Sequence, residues 1–315
     1  MKSPPLLTII LPAYNNPEFT GGSAKTAILS TLQVKVPTRF ILIDDAADIG
    51  EPSVGVFQAL RAEHSDQDIT IIRTRRNIGY PGSFSLGLHF SATELTLFLS
   101  NDMLLTPSYL KALTGVAALS PDYGCVRGTS VNTDGLPQHS VPPPSFARAY
   151  DDLQQFADLT LRVNGLDHVE DPLLCGDAVI IKRAVIDAIG IHDLALNPYF
   201  SDIDYGMRAQ LAGFKLVTAK GGWLHHEVGG YAKRDSERFN LSDAVARDQR
   251  MQRVFRCWEV LRAKWGAELP EWKNPAAHPH SKDDMMYRKA ALRNRDRVAL
   301  RVEAPATLLE QAEVV

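Results

Sequence analysis

Short apolar runs alternate with stretches of helical spacing over about the first 120 residues, and this alternation most constrains the fold. Leu6–Leu11 is β-rich and stops at Pro12, which predicts that the first strand ends there. Phe40–Ile43 closes on Asp44-Asp45, Ile69–Ile72 forms a third run, and Leu95–Leu99 closes on Ser100-Asn101-Asp102. Helical spacing follows each in Ala24–Gln33, Val54–Glu63, Gly82–Phe90 and Pro107–Leu119. Strands and helices joined by short links imply βαβ units and a parallel sheet, with right-handed crossovers. Leu95–Leu99 is apolar throughout, as a strand covered on both faces must be.

The pattern loosens further on. Asn132–Pro144 is rich in Pro, Gly and small polar residues and reads as a long loop. Val179–Ile181 is strand-like, Arg183–Ile189 is a helix stopped by Gly190, Ile203–Leu211 a helix ending at Gly213, and Lys215–Thr218 a strand. Ala244–Gly266 carries helical spacing, and the tail Ala290–Val315 is charged, then Ala- and Glu-rich, and is expected to fray. The division expected is residues 1–230 as one α/β domain and 231–315 as a helical C-terminal extension.

Composition narrows the function classes. The chain has 315 residues, 45% hydrophobic, with a net charge of −3, so no global basic field invites nucleic acid. No apolar run approaches the roughly 18–20 residues that span a bilayer. Met1-Lys2-Ser3-Pro4-Pro5 opens no signal-peptide pattern, and Cys125, Cys175 and Cys257 show neither a disulfide framework nor metal spacing. A cytoplasmic location is expected.

Ligands of open α/β sheets bind at the carboxyl ends of the strands, where several chemistry-bearing residues fall. Asp102, with the Asn101 amide beside it, is placed to hold a divalent cation and the phosphates it carries. Asp44 and Asp45 can accept from a base N–H or a ribose hydroxyl. Arg75-Arg76-Asn77-Ile78-Gly79 offers guanidinium groups, an amide and close backbone approach at a helix start. Gly176 leaves room for a ring beside Asp177. Asp202 and Asp204 open a helix after Tyr199-Phe200; Asp204 pairs with Arg208 at i,i+4, while a partly desolvated Asp202 suits a general base. In the extended segment His225-His226 only one imidazole can face a given site.

In order, these segments resemble the inverting nucleotide-sugar glycosyltransferases of family 2, with the GT-A fold, over about residues 6–230. Leu11-Pro12-Ala13-Tyr14-Asn15 looks like the family's opening strand and loop, Asp44-Asp45 like its base-reading pair, and Asn77-Ile78-Gly79-Tyr80 like its asparagine–glycine segment. Ser100-Asn101-Asp102 stands at the DxD-type metal motif in the amide-acid version of the rhamnosyltransferase-like branch. Ser201-Asp202-Ile203-Asp204 resembles ED-x-D with serine for the glutamate, and His226 with Gly229 matches the late histidine.

The resemblance implies a Rossmann-like α/β fold, a mostly parallel central sheet flanked by helices. It implies Asp202 as catalytic base, and Asp102 and His226 as ligands of Mn²⁺ or Mg²⁺. The donor would be held by Pro12, Ala13, Tyr14, Asn15, Asp44, Asp45, Arg76, Asn77, Gly79 and Asn101. Gly176, Asp177, Asp204 and His225 would lie toward acceptor or sugar. A UDP- or dTDP-sugar would be transferred to a glycan or lipid-linked acceptor in polysaccharide assembly.

Two other readings compete. A sugar nucleotidyltransferase would want a glycine-rich basic loop after strand one, where Ala13-Tyr14-Asn15-Asn16 stands. A non-catalytic scaffold is suggested by Ser100 and Ser201 at usually acidic positions. The basic stretch Arg288-Lys289, Arg293, Arg295, Arg297 and Arg301 could lie on an anionic membrane surface or serve a homo-oligomer contact.

Overall fold

The computed structural model describes residues 4–45, 52–133, 135–145, 149–227, 242–275, 277–279, 283 and 285–315. Strand β1 (Leu7–Ala13) runs parallel to β2 (Thr38–Asp44) on one side and β4 (Leu95–Leu99) on the other, and β3 (Asp68–Thr74) extends the parallel run beyond β2. The other half is mixed. It holds β5 (Met103–Leu104), β6 (Tyr123–Ser130), β7 (His168–Glu170), β8 (Ala178–Lys182) and β9 (Lys215–His226). β8 is antiparallel to both β4 and β6, and β9 is parallel to β6. With β10 (Ala312–Val314), the order of the 10-stranded sheet is β10-β3-β2-β1-β4-β8-β6-β9-β5, and β7 pairs with β9.

The helices are α1 (Pro17–Val34), α2 (Val54–Glu63), α3 (Gly79–Phe90), α4 (Pro107–Leu119), α5 (Tyr150–Asn164), α6 (Arg183–Ile189), α7 (Ser201–Leu211), α8 (Asp243–Trp265), α9 (Met286–Asn294) and α10 (Ala306–Leu309). The period-2 alternation of strands explains why the runs look uniformly apolar. Leu7, Ile9 and Leu11 pack with Ala24, Ile28, Phe57 and Leu110 on one face. Ile10, Ile41 and Phe98 pack with Phe84, Leu88 and Tyr205 on the other.

Three elements depart from the sequence reading. β1 does not stop at Pro12 but continues to Ala13, because the strand pairs with β4 only as far as Ile10. Asp45 N donates to Ala13 O at 2.8 Å, so Pro12 faces the unpaired side and its missing N–H costs no ladder bond. β9 runs well past Thr218, through a register irregularity between Thr218 and Trp223 that hides its continuity from pattern reading. The tail does not fray: β10 pairs antiparallel with the exposed edge of β3, and Val315 N donates to Ile71 O at 3.0 Å.

The C-terminal helices pack on α7. Trp258, Leu261 and Trp265 of α8 and Met286, Tyr287 and Ala290 of α9 form one buried cluster with Ile203 and Met207. The apolar face of the basic helix α9 is thereby taken up. Its cations face acids, Arg288 with Glu170 at 3.9 Å, Lys289 with Asp283 at 2.7 Å and Arg293 with Glu268 at 3.3 Å. Among the described residues no helix is long and apolar enough to cross a membrane. All three cysteines are buried, and none forms a disulfide.

Candidate active site

The carboxyl ends of β1, β2 and β4 converge with the amino end of the antiparallel β8. Asn15 and Asn16 take left-handed conformations (φ 59° and 53°), which asparagine tolerates, and turn the chain from β1 toward α1. The Asn101 amide donates to Thr20 Oγ1 at 2.9 Å and to Asn15 O at 3.4 Å, tying the end of β4 to the end of β1. Ala13 is buried, and Pro12 and Tyr14 are half-buried beside it.

Asp44 and Asp45 differ sharply. The Asp45 carboxylate accepts from Thr74 Oγ1 (2.8 Å), Ile78 N (2.8 Å), Gly79 N (2.8 Å), Ser83 Oγ (2.9 Å) and Asn77 Nδ2 (3.3 Å). Its oxygens cap the start of α3 and hold the loop in which Gly79 turns at φ +70°. Burial pushes the Asp45 carboxyl up to about 7, against the pull of those donors. Asp44 Oδ1 accepts from Ser53 N at 3.1 Å, but Oδ2 has no hydrogen bond among the described residues, and Arg73 Nε stands 3.7 Å away. A carboxylate oxygen at this strand end is an acceptor that a ligand N–H or O–H could use. Arg76 is exposed.

Antiparallel pairing sets Met103 opposite His226 and Leu104 opposite His225, which carries β9 to the end of β4. His226 Nε2 lies 3.5 Å from Asp102 Oδ2, and Nδ1 lies 3.2 Å from Asn132 O, at the start of the long loop. Burial works to lower the His226 imidazole, but the Asp102 carboxylate, Asp177 and the Asn132 carbonyl outweigh it and hold it near about 9. His225 alternates away and faces Glu227 at 3.4 Å. Among the described residues no third acid, His or Cys completes a metal cluster. A carboxylate oxygen and an imidazole nitrogen are nonetheless donors that would suit a divalent cation such as Mn²⁺ or Mg²⁺. Gly229 lies outside the described residues.

Phe200 takes φ 67° and turns the chain into α7, whose first turn carries Asp202. Asp202 Oδ2 accepts from Gly176 N at 3.0 Å and Oδ1 from Ile203 N at 2.9 Å. Burial pushes the Asp202 carboxyl up to about 6, with the two N–H groups opposing and the Asp177 charge assisting. Gly176 is clamped on its other side by Tyr80, whose hydroxyl donates to Gly176 O at 2.9 Å. A Cβ on Gly176 would collide with that hydroxyl and stand 2.9 Å from Asp202 Cβ. Gly176→Ala is therefore expected to displace the Asp202 carboxylate and lower turnover by about 10²-fold, the scale of a 1 Å misplacement of a group that acts in catalysis, with the melting temperature as the control for folding.

Asp204 points into the core instead. It holds Arg208 Nε at 2.8 Å, Lys264 Nζ at 2.7 Å and Trp265 Nε1 at 2.9 Å, so its sequence assignment to the sugar side does not match its place. Asp177 pairs with Arg127 Nη2 at 3.1 Å, and its main-chain O accepts from Ser100 N at 3.1 Å, joining β8 to the end of β4.

The sequence profile described as "Glycosyltransferase like family 2" matches residues 4–254. The chain belongs to this family. Among curated proteins, the uncharacterized protein y4gI of Sinorhizobium fredii is 21% identical over 297 residues, covering 89% of this chain and 29% of that protein. The low-salt glycan biosynthesis hexosyltransferase Agl10 of Haloferax volcanii is 23% identical over 178 residues, covering 55% of this chain and 53% of its own length. The chain thus spans under a third of the first relative and about half of the second. The fold is similar to that of the mannosyltransferase PcManGT from Pyrobaculum calidifontis, solved with GDP-Man and Mn²⁺ (TM-score 0.55, 15% identity, 98% of this chain and 79% of that one). It is also similar to S. aureus TarS residues 1–349 (TM-score 0.50, 12% identity, 93% and 83% covered).

Within this family 2 chain, two residues near the site were not singled out from sequence. Arg127 is 3% exposed, and its Nε and Nη1 have no hydrogen bond among the described residues. The signal was a charged residue inside the apolar run Gly124-Cys125-Val126-Arg127-Gly128. Tyr80 was legible only as part of a motif; its work depends on Gly176, remote in sequence.

Proposed function

We propose that the chain is an inverting glycosyltransferase that moves a sugar from a nucleoside-diphosphate donor, UDP- or dTDP-linked, to a hydroxyl of a glycan or lipid-linked acceptor in polysaccharide assembly. The observation that carries this reading is Asp202, half-buried at the start of α7 and held by the N–H groups of Gly176 and Ile203, with its carboxyl raised to about 6. A carboxylate so poised can take a proton near neutral pH. Asp202 removes the proton of the acceptor hydroxyl as that oxygen attacks the anomeric carbon from the face opposite the leaving diphosphate. The anomeric centre inverts, and no covalent enzyme intermediate is needed. The N–H groups of Gly176 and Ile203 aim the carboxylate and stabilise its charged form before it accepts the proton. Asp44 Oδ2 could accept from a base or ribose donor, and Asn101 fixes the strand ends that border the nucleotide. Asp102 and His226 would hold a divalent cation, which supplies Lewis-acid neutralisation of the leaving diphosphate when bound.

Calorimetric titration of UDP, dTDP and GDP, each with Mn²⁺ and with EDTA, tests the donor half. One diphosphate is expected to bind, at least about tenfold more weakly without metal, a loss of about 1.4 kcal/mol. Asp102→Ala is expected to abolish that metal dependence. Absence of binding by all of them would overturn the reading.

A further inference from the structure

The C-terminal region builds a set of aromatic rings beside Asp202 that the transfer chemistry does not use. Phe200 immediately precedes α7, and its ring lies 5.4 Å from Trp258, 6.3 Å from Trp272 and 6.0 Å from His278. Trp272 stands 5.2 Å from Phe255 and 4.3 Å from His278. The base of the cluster is rigid: Trp258 is fully buried, and its Nε1 donates to Pro270 O at 2.9 Å. Trp223, Trp258 and Trp265 are each 0% exposed, whereas Trp272 keeps part of its surface in water. The Trp272 Nε1 donates to Asn274 O at 2.7 Å, which fixes the ring plane. Phe200, Phe255 and His278 are likewise only half-buried.

Rings that are held in place yet left partly wet contribute less to the core than buried ones, and a rigid aromatic face at the edge of a site suits a ligand. The cluster also reaches toward Asp202: Phe200 and Trp272 pack on the buried group that includes Cys175 and Ile203, the chain neighbours of Gly176 and Asp202. Tyr287 lies 6.3 Å from Trp258, and its phenol is held well above its ordinary range by burial and then by the charge of Asp202. A pyranose has one face of axial C–H groups and a rim of hydroxyls. The C–H face stacks on aromatic carbon, and the rim needs polar neighbours. Glu271 and Lys273, exposed and paired at 2.7 Å, flank Trp272 and offer such a rim. A lipid chain would want an apolar border there. Phe255, Trp272 and His278 lie beyond residues 4–254 that match the family.

We propose that Phe200, Phe255, Trp272 and His278 form an acceptor shelf that takes the apolar face of a pyranose ring, so that the acceptor ends in a saccharide. The inference rests on the transferase reading and names its acceptor class.

Saturation-transfer NMR on the full chain tests it, with methyl α- and β-pyranosides of glucose, galactose and mannose as probes. Farnesyl phosphate is the lipid probe, and UDP, dTDP and GDP with Mn²⁺ are added in parallel samples. At least one pyranoside is expected to receive saturation on the C–H protons of one ring face. Trp272→Ala and Phe255→Ala should weaken that binding about 2–10-fold, the scale of one aromatic contact. Trp272→Phe should retain it, and nucleotide binding should not change in any variant. Nucleotide binding without any pyranoside signal overturns the shelf and leaves the donor reading standing, as does farnesyl phosphate binding in the sugars' place. Pyranoside signals lost on Trp272→Ala, in a protein that binds no nucleotide, keep the shelf and overturn the transferase. A pyranoside signal that survives both alanine variants overturns the shelf.

Discussion

Asp202→Asn is expected to lower kcat by about 10²–10⁴-fold, the range of a general base, while the nucleoside diphosphate binds as before. The amide keeps the size of the side chain and can still accept one N–H from Gly176 or Ile203, so the site keeps its shape. It cannot take a proton from the acceptor. The pH dependence follows from the same group. With the carboxyl at about 6, the active base is the deprotonated form, so kcat/KM should be flat above that value and fall tenfold per pH unit below it.

Stability moves the other way. The folded carboxyl sits above its unfolded value of about 3.9, so the native state binds the extra proton between those limits, and the wild type loses stability as pH rises through that window. The asparagine variant lacks this cost and should melt higher than wild type at pH 8, with the gain shrinking toward pH 5. An inactive variant that melts higher separates a missing base from a misfolded site. Retention of full turnover would remove Asp202 from the mechanism and bring the scaffold reading forward.

Much of the N-terminal architecture was legible because its signals are local. α2 and β4 have the bounds that periodicity marks, α4 begins at Pro107 where a proline suits the first turn, and α6 stops at Gly190 (φ +71°). What was not legible depends on partners distant in sequence. Pro12 can stay in β1 only because β4 has ceased to pair beside it. β10 exists only because the edge of β3 is open to it, and nothing in its three residues announces a strand.

The same holds at the site. Asp44 and Asp45 are equivalent in sequence, yet alternation along the strand sends one carboxylate toward Ser53 and Arg73 and the other to the cap of α3. The order of motifs placed Asp102 and His226 on the same site, and the β5–β9 pairing brings them to 3.5 Å. The aromatic cluster could not be read, because its rings come from Phe200 and from a segment more than fifty residues later that shares no periodicity with it.

Asp204→Ala should be the most destabilising single change near the site, costing about 3–5 kcal/mol, the range for breaking a buried ion pair from one side. Asp204 and Arg208 are both 0% exposed, and Lys264 and the Trp265 indole meet the same carboxylate. Removal of the acid leaves the fully buried Arg208 guanidinium without its carboxylate, while Lys264 keeps Asp193 at 2.7 Å. Arg208 also donates to Ile189 O at 2.7 Å, Ile191 O at 2.8 Å and Leu300 O at 3.1 Å, so the loss loosens α6, α7 and the tail together. Burial works to raise the Asp204 carboxyl, but Arg208 and Lys264 outweigh it and hold it below its ordinary value. Its stabilisation is therefore present above about pH 3.9 and is lost as pH falls through the lower folded value. Denaturant unfolding at pH 7 should show the alanine penalty in full, and the difference between wild type and Asp204→Ala should narrow at pH 3. A penalty under about 1 kcal/mol, the scale of an exposed pair, would mean that the network is not the link holding the C-terminal helices to the helix that carries the base.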